Sequence, residues 1–100
     1  MYAMVGQLIA QAGRRSEFAE LLIRAASVVA QLPGCRMYLV HEDLSDENTL
    51  WVYEAWEDQE SHAASLKDEQ VRMLIAEAMP LMDGSPQGSA LTLLGGHGLQ

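Results

Sequence analysis

The spacing of hydrophobic residues changes along the chain, and a helical spacing is clearest between residues 14 and 32. Apolar side chains recur there every three or four positions, which predicts a helix with one apolar stripe. The stripe consists of Phe18, Leu21, Leu22, Ala25, Val29 and Leu32. Pro33 and Gly34 follow and should end the helix, because proline cannot continue its hydrogen-bond ladder.

Four other segments have the composition of strands. β-branched, aromatic and other apolar residues are concentrated in them, and turn-forming residues separate them. The segments are 2–11, Cys35–Glu42, Thr49–Trp56 and 90–94. An acidic, turn-rich stretch predicts a hairpin loop between the second and third strands, and a Gly-, Ser- and Pro-rich stretch at 82–89 predicts a loop before the fourth.

Residues 58–79 predict a second helical region that is interrupted near Lys67 and Asp68. Asp58 and Asp68 are suitable N-cap residues for two successive helical pieces. The second piece has its own apolar stripe, formed by Val71, Leu74, Ile75 and Ala78. Pro80 should mark the end of the region.

The predicted order is therefore β-α-β-β-α-β within a single domain, 1–100, whose residues 95–100 form a tail. This order predicts the α+β class and a ferredoxin-like fold, with a four-stranded antiparallel sheet and two helices on one face. No predicted element remains to cover the other face of the sheet. An apolar sheet face left uncovered predicts a partner, and a second copy of the chain is the simplest one, so we expect a homodimer.

Composition narrows the classes of function. A formal net charge of −8 disfavours nucleic acid and anionic membrane surfaces as partners, because phosphate binding requires a basic surface. Cys35 is the only cysteine, and the three histidines are scattered, so the spacing predicts no metal site. No apolar run is long enough to span a membrane and the first residues do not resemble a signal peptide, so we expect a cytoplasmic protein.

One short motif gives the sequence a recognisable family likeness. A strand that ends in Glu54 and Trp56 is followed by an acidic turn and by a helix carrying His62, six residues after the tryptophan. Upstream, Tyr38 follows the sequence Pro-Gly-Cys at 33–35. In these features the chain resembles the antibiotic biosynthesis monooxygenase family. The resemblance implies a dimeric α+β barrel and, in several members, oxidation of quinols or polycyclic phenols by molecular oxygen without metal or flavin.

The resemblance implies a site, and each of its residues has a functional and a structural interpretation. His62 is suited to take up a phenolic proton, or it merely orders the strand–helix junction. Trp56 would stack on a planar substrate or form part of the core. Glu54 would accept a hydrogen bond from His62, or it has a structural partner such as Arg36. Tyr38 would donate a hydrogen bond to a substrate oxygen, or pack with its hydroxyl at the rim.

Two further aromatic residues of the third strand, Trp51 and Tyr53, should point away from Trp56 because side chains alternate across a strand. We assign them to the expected dimer interface. Cys35 has no histidine beside it in the sequence, which favours a small packing residue over a nucleophile.

The sequence also departs from the family pattern. Many relatives carry a second histidine where this chain has Lys67. This departure leaves open an alternative function, a non-catalytic small-molecule-binding or stress-associated dimer. Haem-degrading relatives have an asparagine in the first strand and a histidine further along the last helical region. Near the corresponding positions, this chain has Gly6 and Gln7 in the first strand and Leu-Ile-Ala at 74–76 in the last helical region. These residues disfavour haem cleavage.

Overall fold

The order of elements follows the sequence pattern closely. The structure is a computed structural model that describes residues 1–99. The strands are β1 (Tyr2–Ile9), β2 (Cys35–Glu42), β3 (Thr49–Trp56) and β4 (Gln87–Thr92). The helices are α1 (Arg15–Val29), α2 (Gln59–Ser65) and α3 (Glu69–Ala78), and a short 3₁₀ turn (Met79–Leu81) follows α3. The βαββαβ order and the α+β class are confirmed.

The four strands form one sheet in the order β2-β3-β1-β4, and every neighbouring pair is antiparallel. Strands β1 and β3 pair along their whole length, from Tyr2 opposite Trp56 to Ile9 opposite Thr49. The helices cover one face of the sheet, where Phe18 and Leu21 of α1 pack with Leu50 of β3 in the main core. A second buried cluster surrounds Trp56.

The interruption in the second helical region lies where it was predicted. Helix α2 ends at Ser65 and α3 begins at Glu69. The Asp58 carboxylate accepts a hydrogen bond from the backbone N–H of Ser61 at 2.7 Å, and the Asp68 carboxylate accepts one from Val71 at 3.1 Å. Each aspartate thus satisfies a backbone N–H that has no partner within its helix.

The predicted ends of three elements require correction. Strand β1 ends at Ile9, not at residue 11. Helix α1 ends at Val29 rather than at Leu32. Pro33 has no N–H to bond the Val29 carbonyl, and the chain after Val29 tightens into i→i+3 hydrogen bonds from Gln31 to Val28 and from Leu32 to Val29. Strand β4 begins at Gln87, not at residue 90, so the loop prediction was wrong for 87–89. Gly88 lies opposite Gly6, and a Cβ atom at 88 would collide with the β1 backbone. Gly88 therefore allows β4 to pair closely with β1, and it does not form a turn.

The sheet face turned away from the helices is apolar and open in the single chain. Trp51 and Tyr53 lie on this outer face, opposite to Trp56, as predicted. Leu39 is 49% exposed and Leu91 is 45% exposed on the same face. Within residues 1–99, none of the helices has the length and apolar character needed to cross a membrane.

Candidate functional site

A cavity of about 390 Å³ lies between the helices and the inner face of the sheet. Most of its wall is apolar and comes from α1, α3, β1 and the segment before β4. Representative wall residues are Met4, Leu21, Leu22, Leu74, Ile75 and Met82. Of the polar residues that the structure describes, Tyr38, Glu54, His62 and Ser65 also line it. The cavity therefore has the character of a small-molecule site, with a few polar groups in an apolar surround.

Local structure explains why these polar side chains meet. Glu54 and Trp56 are two residues apart on β3 and so share its inner face. Tyr38 on β2 pairs directly with Glu54 across the sheet. Helix α2 starts immediately after β3, capped by Asp58, and this sharp return brings His62 back over the end of the strand.

A single carboxylate oxygen of Glu54 connects the group. The Trp56 indole Nε1–H donates a hydrogen bond to Glu54 Oε1 at 3.0 Å. His62 Nε2 lies 3.8 Å from the same oxygen, which is too long for a hydrogen bond but close enough for an ion pair when the imidazole is protonated. The Glu54 and His62 side chains are only 19% and 14% exposed, so water screens this pair weakly.

Trp56 occupies a supporting position. Its side chain is fully buried, is not among the described side chains that line the cavity, and meets the His62 ring edge-on at a centroid distance of 5.7 Å. Trp56 contacts both Glu54 and His62 on their side away from the cavity. This position gives no support to stacking of Trp56 on a substrate. The alternative partner considered for Glu54, Arg36, lies 3.9 Å from Glu57.

Tyr38 is a neutral hydrogen-bond donor. Burial, and after it the negative charge of Glu54, raises the pKa of Tyr38 well above its ordinary value. The phenol therefore cannot act as a base at neutral pH. Burial likewise raises the pKa of the Cys35 thiol, which disfavours the nucleophilic thiolate.

The raised pKa of Tyr38 predicts a loss of stability in alkali. The stabilising contribution of the neutral phenol is complete below the unfolded-state pKa near 10 and is lost as pH rises toward the folded-state value. Tyr38→Phe should therefore lose less free energy of unfolding than the wild type between about pH 10 and 12. Urea unfolding followed by circular dichroism measures this difference, and parallel profiles for the two proteins would contradict it.

Two neighbours of His62 were missed by the sequence analysis. The Tyr2 ring lies with its centroid 5.4 Å from that of His62, and the Ser65 hydroxyl donates to the His62 backbone carbonyl at 2.6 Å. Ser65 follows His62 by one helical turn, a spacing that could have indicated the contact. Tyr2 is brought there by the pairing of β1 with β3, and that register is not visible in local sequence.

Among residues 1–99, no group of three or more His, Cys, Asp or Glu side chains is arranged to hold a metal ion. The polar groups of the cavity can instead transfer a proton. His62 can accept one, Glu54 can stabilise the resulting imidazolium, and Tyr38 can donate a hydrogen bond to a ligand oxygen.

Comparison with known proteins identifies relatives of the same architecture. The family model described as antibiotic biosynthesis monooxygenase matches residues 1–77. A crystal structure from Chloroflexus aurantiacus J-10-fl, named as a candidate member of these monooxygenases, is 33% identical with a TM-score of 0.90, covering 99% of this chain and 98% of that one. A similarly named structure from Deinococcus radiodurans is 25% identical with a TM-score of 0.85, covering 100% and 99%.

A more distant structure has the same fold. SnoaB, a cofactor-independent oxygenase from Streptomyces nogalater, is 16% identical with a TM-score of 0.83, and the match covers 96% of this chain and 95% of that one. No curated protein matches the chain.

Proposed function

This chain belongs to the antibiotic biosynthesis monooxygenase family, and from that membership we propose that it oxidises a quinol or polycyclic phenol with molecular oxygen, without a cofactor. The observation that carries the proposal is the carboxylate–imidazole pair of Glu54 and His62 at one end of an apolar cavity. Such a pair can remove a proton from a bound phenol, while the apolar walls bind its rings and exclude water.

The reaction begins with proton transfer from the substrate hydroxyl to His62. The negative charge of Glu54 stabilises the imidazolium, and the proximity of the imidazolium compensates the phenolate that forms in this poorly solvated site. Tyr38 donates a hydrogen bond to a substrate oxygen, and Trp56 and Tyr2 keep the imidazole in place.

The phenolate then reacts with oxygen directly. One electron passes from the phenolate to O₂, and the two radicals combine to form a carbon–oxygen bond to the ring. The proton held by His62 passes to the peroxide, which gives a hydroperoxide. The hydrogen on the same ring carbon is then lost as a proton, its electron pair forms the carbonyl, and the O–O bond breaks to release hydroxide, which leaves with that proton as water. One oxygen atom remains in the product and the other becomes water, so a hydroquinone plus O₂ gives a hydroxyquinone plus H₂O.

The test is oxygen uptake with chemically reduced 1,4-naphthoquinone as the substrate. We expect uptake above the rate without protein, and one ¹⁸O atom in the hydroxynaphthoquinone product when ¹⁸O₂ is supplied. Stoichiometric hydrogen peroxide without labelled product, or uptake at the background rate, would contradict the proposal. Saturable binding of the ring without turnover would instead point to the non-catalytic binding protein.

We also propose that the outer face of the sheet forms a homodimer. Tyr53, Leu39 and Leu91 make this face apolar, and an open apolar face of this kind is unfavourable in water. Two identical faces can cover each other about a twofold axis.

A charge placed on the outer face should dissociate the dimer. Leu39→Glu would place a carboxylate in the apolar interface, where desolvation and the repulsion of two symmetry-related charges both oppose association. We expect sedimentation velocity to show monomer for this variant and dimer for the wild type. Leu44→Glu is the matched control, because Leu44 is fully exposed in the hairpin loop and should leave the dimer intact. A wild-type monomer would contradict the proposal.

A further inference from the structure

The polar groups of the cavity are gathered at one end. Tyr38 and Glu54 are paired neighbours on β2 and β3, and His62 lies 3.8 Å from the Glu54 carboxylate. The Ser65 hydroxyl is occupied by its hydrogen bond to a backbone carbonyl. The rest of the wall is formed by apolar side chains such as Leu21 and Leu74. A ligand that matches this distribution has one hydroxyl-bearing end and an apolar body.

The cavity cannot present a net positive charge. Among the described side chains that line it, none is lysine or arginine. Glu54 contributes one negative charge, Tyr38 is neutral, and His62 contributes either no charge or one positive charge. The sum is therefore −1 or 0, whichever protonation state His62 adopts.

Three basic residues adjoin cavity-lining residues in the sequence, namely Arg24, Lys67 and Arg72. Arg72 is exposed on α3. Lys67 lines a separate surface groove together with Asp58 and Asp68. Arg24 on α1 forms an ion pair with Glu77 at 3.0 Å. None of these three side chains is among the described side chains that line the cavity, so none offers a counter-ion to an anionic ligand group inside it.

We propose that this cavity selects uncharged aromatic ligands and rejects those that carry a carboxylate or another fixed negative charge. The inference rests on the proposed function in taking the cavity as the substrate site. An anionic group in the apolar body would lose its hydration without gaining a partner, and at the polar end it would meet the Glu54 carboxylate. The cavity of about 390 Å³ lies near the small end of the range for ligand pockets, so the ligand has few rings.

Isothermal titration calorimetry under anaerobic conditions tests this selection without turnover. The probes are 2-naphthol, 6-hydroxy-2-naphthoate and the methyl ester of that acid at pH 7.5. We expect the ester to bind about as tightly as 2-naphthol and the carboxylate to bind at least about tenfold more weakly. The ester is larger than the acid, so weaker binding of the acid alone reports charge rather than size.

A cation introduced at the cavity wall should reduce the discrimination. Ile75 lines the cavity and is 44% exposed, so a lysine there can reach the ligand while the fold is retained. Ile75→Lys should raise the affinity for the carboxylate relative to the affinity for the ester by roughly fivefold or more. Ile75→Met introduces a side chain of about the length of lysine without its charge. This variant should keep the wild-type preference for the ester over the carboxylate.

Two outcomes would overturn the inference: equal affinity of the wild type for acid and ester, or no binding of any of the three probes. These results are separable from a failure of the proposed reaction. Binding that favours the ester with no oxygen uptake on the reduced naphthoquinone supports the charge selection and removes the oxygenase. Oxygen uptake together with equal binding of acid and ester supports the oxygenase and removes the charge selection.

Discussion

Replacing His62 by glutamine should lower kcat for quinol oxidation by about 10²- to 10⁴-fold, the usual contribution of a positioned general base. Glutamine retains a polar side chain of comparable reach but cannot accept the phenolic proton near neutral pH. Substrate affinity should change little, because His62 takes up the proton in the transition state and not in the bound ground-state complex. Oxygen uptake gives kcat, and anaerobic titration with 2-naphthol gives the binding constant.

The matched control for this prediction is His97→Gln. His97 is exposed in the C-terminal tail and should leave both quantities as in the wild type. If His62→Gln oxidises the quinol at the wild-type rate, the proton has another acceptor and our assignment of the base is incorrect. A large loss of affinity with kcat retained would instead give His62 a purely binding role.

Replacing Trp56 by alanine should lower the free energy of unfolding by about 3–5 kcal/mol. The indole is fully buried between Val29 of α1 and Val71 of α3, so its removal leaves a cavity in the second core cluster. It also removes the N–H that donates to Glu54, leaving a poorly solvated carboxylate with one partner fewer. Urea unfolding measures the loss, at several protein concentrations because dimerisation would add to apparent stability.

Trp56→Phe separates the two contributions. Phenylalanine fills most of the space but cannot donate to Glu54, so we expect a smaller loss of stability accompanied by a clear loss of kcat. Should Trp56→Ala cost less than about 1 kcal/mol, the indole would not be the packing centre that its burial indicates.

The agreement between sequence and structure is closest where a signal is local. The Asp58 and Asp68 caps and the alternation of Trp51, Tyr53 and Trp56 across β3 each depend on the chemistry of a few adjacent residues. Hydrogen bonding at helix ends and the two-residue period of strands act over such short distances. The motif of Glu54, Trp56 and His62 is equally local, since one strand and one helical turn carry all three.

The start of β4 shows the opposite case. By composition, Gly88 belongs to a turn, and the sequence prediction made it one. Its actual environment is the backbone of β1, about eighty positions earlier in the chain, where a side chain would collide with Val5. A glycine required by long-range contact and a glycine required by a turn look the same in the sequence.

The sequence alone determined the order of elements, the faces of β3 and the identity of the proton-transfer residues to be tested. Only the tertiary structure decided that Tyr2 flanks His62, that the Trp56 indole donates to Glu54, and that the described side chains that line the cavity include no lysine or arginine. These properties arise from atoms that meet across strand pairs and between helix and sheet. Such contacts depend on register and packing angle, which no short stretch of sequence encodes by itself.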